Sequence, residues 1–224
     1  MSSEIKDSVP SAQDLYATNK TFAELGVLPE LVTVLSEQGI TTAFPIQALT
    51  ISDALAGRDV CGKAKTGSGK TLGFGLPMLQ RISAGETFKT VEGGPARPRA
   101  LVLLPTRELC VQVHEVLKPL GVALGLHVNA VYGGADIERQ VKSLRRGCDV
   151  IIATPGRLID LGDRGEVNVE NLDVLVLDEA DRMADMGFMP QVEWCFAASP
   201  NDRTRRCCSR PPSTALSTDW SSAT

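Results

Sequence analysis

Aromatic residues are scarce in this chain: six Phe, two Tyr and two Trp make up 4% of its 224 residues. That scarcity argues against a jelly roll or antibody-like sandwich, and the 43% hydrophobic content suits an aliphatic-rich α/β domain better. Histidine is scarcer still, at two. The six cysteines, at 61, 110, 148, 195, 207 and 208, form neither C-x-x-C pairs nor zinc-spaced Cys/His sets. Disulfide-stapled architectures are excluded at this length, and reduced thiols in a cytosol are expected. Positive charge is also in short supply: 23 Lys and Arg against 27 Asp and Glu leave a formal charge of -4. Any nucleic-acid contact must therefore use a local patch, which disfavours a histone-like binder. No stretch reaches the roughly 18 apolar residues of a membrane span, and the first residues lack a basic region followed by an apolar core. A soluble, unexported, cytoplasmic protein is expected.

What is present is an alternation. Residues 1–20 are polar and aperiodic and read as a flexible lead-in. From Ala23 to Gln38 the residues Leu25, Leu28, Leu31, Val32 and Leu35 recur at helical spacing, and Pro45 to Ala56 reads as a second helix. Short apolar runs then stand before turn residues at 59–62, 100–105, 127–132, 149–154 and 173–178, as buried parallel strands do. Helix-patterned stretches at 72–83, 107–120 and 137–146 lie between them. That order predicts an α/β, doubly wound parallel sheet with helices on both faces. The Gly- and Pro-rich stretch from Ala84 to Arg99 reads as an exposed insertion, and no internal repeat is visible.

Between the first strand and the helix from Leu72 lie Ala64, Lys65, Thr66, Gly67, Ser68, Gly69, Lys70 and Thr71. This is the context of a phosphate-binding loop. Glycines at 67 and 69 let backbone N–H groups turn inward around phosphate oxygens, and the helix N-terminus adds partial positive charge. Lys70 is placed to reach the terminal phosphates and Thr71 to offer a hydroxyl to Mg²⁺, a cation that prefers hard oxygen ligands. Ala64 stands where the strict pattern has glycine, one methyl group larger. The plainer alternative is an ordinary Gly-rich turn. At the end of the last strand, Asp178 and Glu179 put two carboxylates on the edge where α/β sheets bind ligands. Asp178 can hold Mg²⁺ through water, and Glu179 can deprotonate a water attacking the γ-phosphate. Alone these acids would read as a solvated strand end; paired with the loop they read as a phosphoryl-transfer site.

Asp178, Glu179, Ala180 and Asp181 spell the motif of the DEAD-box RNA helicases, and from Phe22 to Arg203 the chain resembles that family, with further motifs in the family's order. The resemblance implies a RecA-like P-loop NTPase fold, ATP and Mg²⁺ as cofactors, and RNA as partner. The segment Gly39 to Gln47 is similar to the adenine-reading motif; Gln47 would bond the adenine edge and the upstream Phe22 would pack on the ring. Pro105, Thr106 and Arg107, then Gly133 and Gly134, then Thr154, Pro155, Gly156 and Arg157 resemble the RNA-backbone motifs. Arg107 and Arg157 would supply charge, while the hydroxyls and glycine N–H groups would grip phosphate and ribose oxygens without reading bases. Cys110, Lys65 and Ala184 depart from common family residues without removing a group that the chemistry uses.

The resemblance ends after Arg203. The family continues with a buried strand, a Ser-Ala-Thr motif and a second RecA-like domain; residues 204–224 instead hold nine Ser or Thr and no apolar alternation. A disordered tail is expected there. One allowed codon set for Arg206 to Ser213, read one base out of frame, spells Met-Leu-Phe-Ser-Ala-Thr-Leu, so a frameshift accounts for the change. Loss of the next strand would then leave the sheet uncovered near Val176 and Ile152. The reading is a helicase ATP-binding domain over 21–203, a truncated and monomeric product with little activity alone. The alternatives are a non-catalytic RNA or protein interaction module that retains the fold, and a different P-loop enzyme such as a kinase or transporter subunit.

Overall fold

Proline and glycine punctuate the first third of the chain. A computed structural model describes residues 20–64, 67–85, 94–197 and 205–210. Helix α1 (Pro29–Glu37) and helix α2 (Pro45–Leu55) each open on a proline, whose fixed φ and missing N–H suit the first helical position. The helix expected from Ala23 therefore starts six residues late. Gly26 at φ +88° breaks the turn around Leu25, and Pro29 restarts it. After these come β1 (Val60–Lys63), α3 (Lys70–Ser83), β2 (Ala100–Leu103), α4 (Arg107–Ala123), β3 (Val128–Val131), α5 (Ile137–Leu144), β4 (Val150–Ala153), α6 (Pro155–Asp163), β5 (Val174–Leu177), α7 (Ala180–Asp185), α8 (Met189–Ala197) and β6 (Arg205–Arg210).

All described strand pairings are parallel, and the six strands run in the order β1-β6-β5-β2-β4-β3. Every residue of β2, β4 and β5 is buried, as a strand covered on both faces requires. Alternate side chains part to opposite layers. Ala100, Val102, Val150, Ile152, Val174 and Val176 join the core under α1 to α4, whereas Leu101, Leu103, Ile151, Ala153, Leu175 and Leu177 join the one under α5 to α8. Each fully buried aliphatic side chain contributes about 1.5–3 kcal/mol, so the two layers supply most of the driving force. The doubly wound arrangement expected from the sequence is the one observed. Helices α3 and α4 approach closely at Gly75, where a Cβ would run into Leu117.

Two expectations need correction. Residues 205–210, expected in a disordered tail, form β6 between β1 and β5, with Val174 opposite Arg205 and Val60 opposite Cys207. Backbone N–H and C=O groups of two neighbouring strands are satisfied by any chain that fills the slot, so the pairing needs no apolar alternation. Val176 and Ile152 are accordingly 0% exposed rather than uncovered. Residues 211–224, like 1–19, lie outside the described residues. The second correction concerns the insertion. Of 84–99, residues 86–93 fall outside the described residues, but the later part is tucked in. Ala96 bridges to Val167 and is 1% exposed, and Arg99 is buried with its guanidinium on the Asp173 carboxylate and the Ile82 carbonyl.

Candidate functional site

Because the strands are parallel, the segments that follow β1 to β5 all emerge at one edge of the sheet. Beyond β1, Gly67 and Gly69 take φ of +82° and +81°, a region open to glycine at little cost, and Gly69 is the N-cap of α3. The space beside Gly67 is open, and the Ser68 hydroxyl is buried with no hydrogen-bond partner among the described residues. Lys70 opens α3 and its Nζ donates to the Ala64 carbonyl at 3.0 Å, folding the amine back across the loop. Thr71 follows in the first turn of α3. Lys65 and Thr66 lie outside the described residues.

Gln47 ties α2 to this loop. Its Oε1 accepts from the Phe44 N–H at 2.8 Å and its Nε2 donates to the Gly69 carbonyl at 2.9 Å. A Cβ on Gly69 would strike the Gln47 amide and lie 2.8 Å from the Phe44 ring, so the three residues meet at one point. Gln47 is 1% exposed, and Phe44 is 57% exposed. Phe22, expected to pack on a base, is instead 1% exposed within the core under α1 to α4. Its apolar ring is drawn inward by Leu25, Val27 and Leu31 and offers no open face. The aromatic that borders the loop is Phe44, an apolar residue in the N-cap position directly before Pro45, where a polar cap is the norm.

At the end of β5, Asp178 is 6% exposed and its N–H donates to the Leu103 carbonyl. Its Oδ1 accepts from the N–H of Glu179. Glu179 is the one described non-glycine residue with positive φ, at +53°, and it caps α7. Left-handed backbone costs a residue with a side chain about 1–2 kcal/mol, and such strain collects at functional positions. The Glu179 carboxylate is held by Arg182 at 3.2 Å. The Asp181 Oδ1 is buried without a partner among the described residues.

The remaining motifs line the same edge as a linked rim. The Thr106 hydroxyl caps α4 by accepting from Leu109 N–H, directly after Pro105. Arg107 donates to the Gly134 carbonyl at 3.3 Å and lies over the Tyr132 ring, 5.3 Å from its centroid. Gly133 donates its N–H to the Thr154 hydroxyl at 3.4 Å, joining the turn after β3 to the one after β4. Pro155 opens α6, and the space beside Gly156 is open. Arg157, expected to supply charge to an RNA backbone, has a side chain that is 12% exposed. Its guanidinium donates to the Ala135 carbonyl and the Gln140 side chain and lies 3.7 Å from the Asp160 carboxylate, so it braces the glycine turn. Burial, with Glu108 nearby, pushes the Cys110 thiol up to about 12, and it stays protonated.

A cleft of about 600 Å³ bounded by Leu25, Leu55, Gln80, Arg81, Arg99 and Asp173 lies away from this chemistry. Arg99 and Asp173 precede β2 and β5, which puts it at the opposite sheet edge. No described helix is long and apolar enough to cross a membrane.

Residues 44–215 match the family model of the DEAD/DEAH box helicases. The chain is 42% identical over 186 residues to the ATP-dependent RNA helicase RhlB of Sodalis glossinidius, covering 83% of this chain and 44% of that protein. It is also 42% identical over 182 residues to the DEAD-box ATP-dependent RNA helicase CshA of Streptococcus pneumoniae, covering 81% and 33%. Among solved structures, the yeast DEAD-box splicing factor Prp28 superposes with a TM-score of 0.76 at 32% identity, covering 88% of this chain and 47% of that one. A DEAD box protein from Methanococcus jannaschii gives 0.74 at 30% identity over 88% and 50%. The chain thus spans less than half the length of these curated relatives, and with its family-model match over 44–215 it belongs to the DEAD/DEAH box helicase family.

Proposed function

We propose that this chain is the ATP-binding domain of an ATP-dependent RNA helicase, binding ATP with Mg²⁺ at the loop after β1 and an RNA backbone along the rim after β2 to β4. The observation that carries this reading is the Gln47 amide. With one lone pair on Phe44 N–H and one proton on the Gly69 carbonyl, it keeps one acceptor and one donor position. That is the complement of an adenine N6–H and N7, and guanine presents acceptors at both corresponding positions.

The residues suit Mg²⁺. No described cluster of three His, Cys, Asp or Glu exists to cage a metal, and Mg²⁺ sites in nucleotide enzymes use one or two hard protein oxygens plus phosphates and water. The Thr71 hydroxyl and the Asp178 carboxylate would hold it, and when bound it neutralises charge between the transferring phosphoryl group and its leaving group. Lys70, released from the Ala64 carbonyl, neutralises the terminal phosphates. Glu179 orients a water and accepts its proton as the water oxygen attacks the γ-phosphorus and the bond from that phosphorus to the bridging oxygen breaks, so that ADP and inorganic phosphate leave. Thr106, Arg107, the Gly133 and Gly134 turn, Thr154 and the Gly156 N–H hold the RNA backbone, with Arg157 fixing the turn.

The chain acts in the cytoplasm and as a monomer. The frame-shifted reading is supported by placement: the shifted Met-Leu-Phe falls on β6, in the slot between β1 and β5. Sequencing the encoding DNA tests it, and no frame restoring Ser-Ala-Thr would overturn it. For the site, titration of ATP and GTP with and without single-stranded poly-U, on wild type and Lys70→Ala, should give adenine-preferring binding that the variant loses. Equal affinity for both nucleotides, or binding indifferent to Lys70, would refute it.

A further inference from the structure

Arg81 stands in the last turn of α3, at the opposite end of that helix from Lys70, and lines the cleft at the far edge of the sheet. Its Nε is buried and has no hydrogen-bond partner among the described residues. A buried donor without an acceptor is costly, and a guanidinium has no acceptor of its own to offer in exchange. Arg99 lines the same cleft, held on the Asp173 carboxylate at 2.6 Å and on the Ile82 carbonyl. Arg81, Arg99 and Asp173 are the charged residues of the lining, so two guanidinium groups stand against one carboxylate and the cleft keeps an excess of positive charge. Gly85 leaves the Arg99 guanidinium its room, since a Cβ there would run into it. Leu25 and Leu55 give the same cleft an apolar wall.

We propose that this cleft is a binding site for a small organic acid, whose carboxylate takes the Arg81 guanidinium and whose apolar body lies along Leu25 and Leu55. A guanidinium presents two parallel N–H groups, which match the two oxygens of a carboxylate. One excess positive charge in the lining is balanced by one negative charge on the ligand. That favours a monocarboxylate over phosphate, which also has no apolar body to set against the leucines. The cleft, at about 600 Å³, has the size of a small-molecule site. It lies at the other sheet edge from the loop after β1, so it stands or falls independently of nucleotide binding there.

The test titrates the full chain with hexanoate, hexanol and inorganic phosphate, followed by backbone amide NMR shifts, in wild type, Arg81→Met and Arg81→Lys. Wild type should bind hexanoate with a Kd of about 1 mM, the scale reached by a ligand of so few heavy atoms. The Gly26 and Gly85 amides should shift while those of Gly67 and Gly69 stay in place. Hexanol, which has the chain without the charge, should bind about tenfold more weakly, the size expected for losing a charge-assisted hydrogen bond. Arg81→Met removes an unpartnered donor and keeps an apolar stem, so it should melt with wild type while its hexanoate affinity falls by about tenfold. Arg81→Lys keeps the charge without the fork and should recover part of that loss. Absence of saturable hexanoate binding to wild type would overturn the site. Hexanol or phosphate binding as tightly as hexanoate would overturn the carboxylate assignment, a comparison that needs no variant. Hexanoate affinity in Arg81→Met within about twofold of wild type would overturn the role of Arg81.

Discussion

Replacing Gln47 by Ala tests the site's architecture and its chemistry in one variant. The side chain is 1% exposed and bridges two backbone groups, Phe44 N–H at 2.8 Å and the Gly69 carbonyl at 2.9 Å. Each lost hydrogen bond costs about 0.5–1.5 kcal/mol net, and more where the partner stays buried and unsatisfied. Two bonds therefore give about 2–3 kcal/mol. For a chain of this length about 2–4 °C accompanies each kcal/mol, so Tm should fall by about 5–10 °C. The same change removes the donor and acceptor facing the base, so the ATP-to-GTP affinity ratio should collapse toward one while tripolyphosphate still binds. Gln47→Glu separates the two effects: it can still accept from Phe44 N–H but sets a carboxylate against the Gly69 carbonyl. It should lose at least as much stability as Gln47→Ala. Thermal unfolding by circular dichroism and competition titration supply the readouts. A Tm within 1 °C of wild type for Gln47→Ala, together with an unchanged nucleotide ratio, would refute the bridging geometry.

Other outcomes follow from single contacts. Arg99→Met leaves Asp173 without its guanidinium partner at 2.6 Å, where the arginine side chain is only 9% exposed. Urea unfolding should show a loss of about 3 kcal/mol, near the low end for breaking a buried pair because Asp173 is partly solvated; a loss below 1 kcal/mol would contradict that anchor. Gly75→Ala drives a methyl group into Leu117 and should cost about 1–3 kcal/mol by the same measurement. His114 is half-buried, with Nε2 on the Val128 carbonyl. Desolvation first, then the Lys118 charge, holds its pKa below the usual 6.5 against the opposing backbone bond. As pH falls through about 6.5 the unfolded chain takes up the proton before the folded one, so stability declines with falling pH until the folded state also protonates. His114→Gln should flatten that part of the stability profile, and an identical slope in the variant would count against it. Glu179→Gly, freed of its φ of +53°, should gain up to about 1 kcal/mol despite losing the Arg182 contact, as calorimetry would detect.

The alternation of apolar runs and helical patterns determined the parallel sheet, because a strand covered on both faces must be apolar throughout and a crossover must be helical. The backbone settings of Lys70, Thr71, Asp178 and Glu179 were legible for the same local reason: a glycine turn into a helix and a strand end are written within a few residues. What only the tertiary structure decided were matters of which face and which neighbour. Spacing could not tell that the ring of Phe22 turns into the core and that of Phe44 out toward Gly69, since burial depends on what packs across from a residue. Arg157 is a charge in the sequence, but the turn after β3 brings carbonyl groups within its reach and makes it a brace. Nor did composition admit residues 205–210 to the sheet; the open slot between β1 and β5 did, because backbone hydrogen bonds are indifferent to side chains. Sequence determined the edge at which the motif residues lie, and three-dimensional packing decided which of their side chains are buried there and which are exposed.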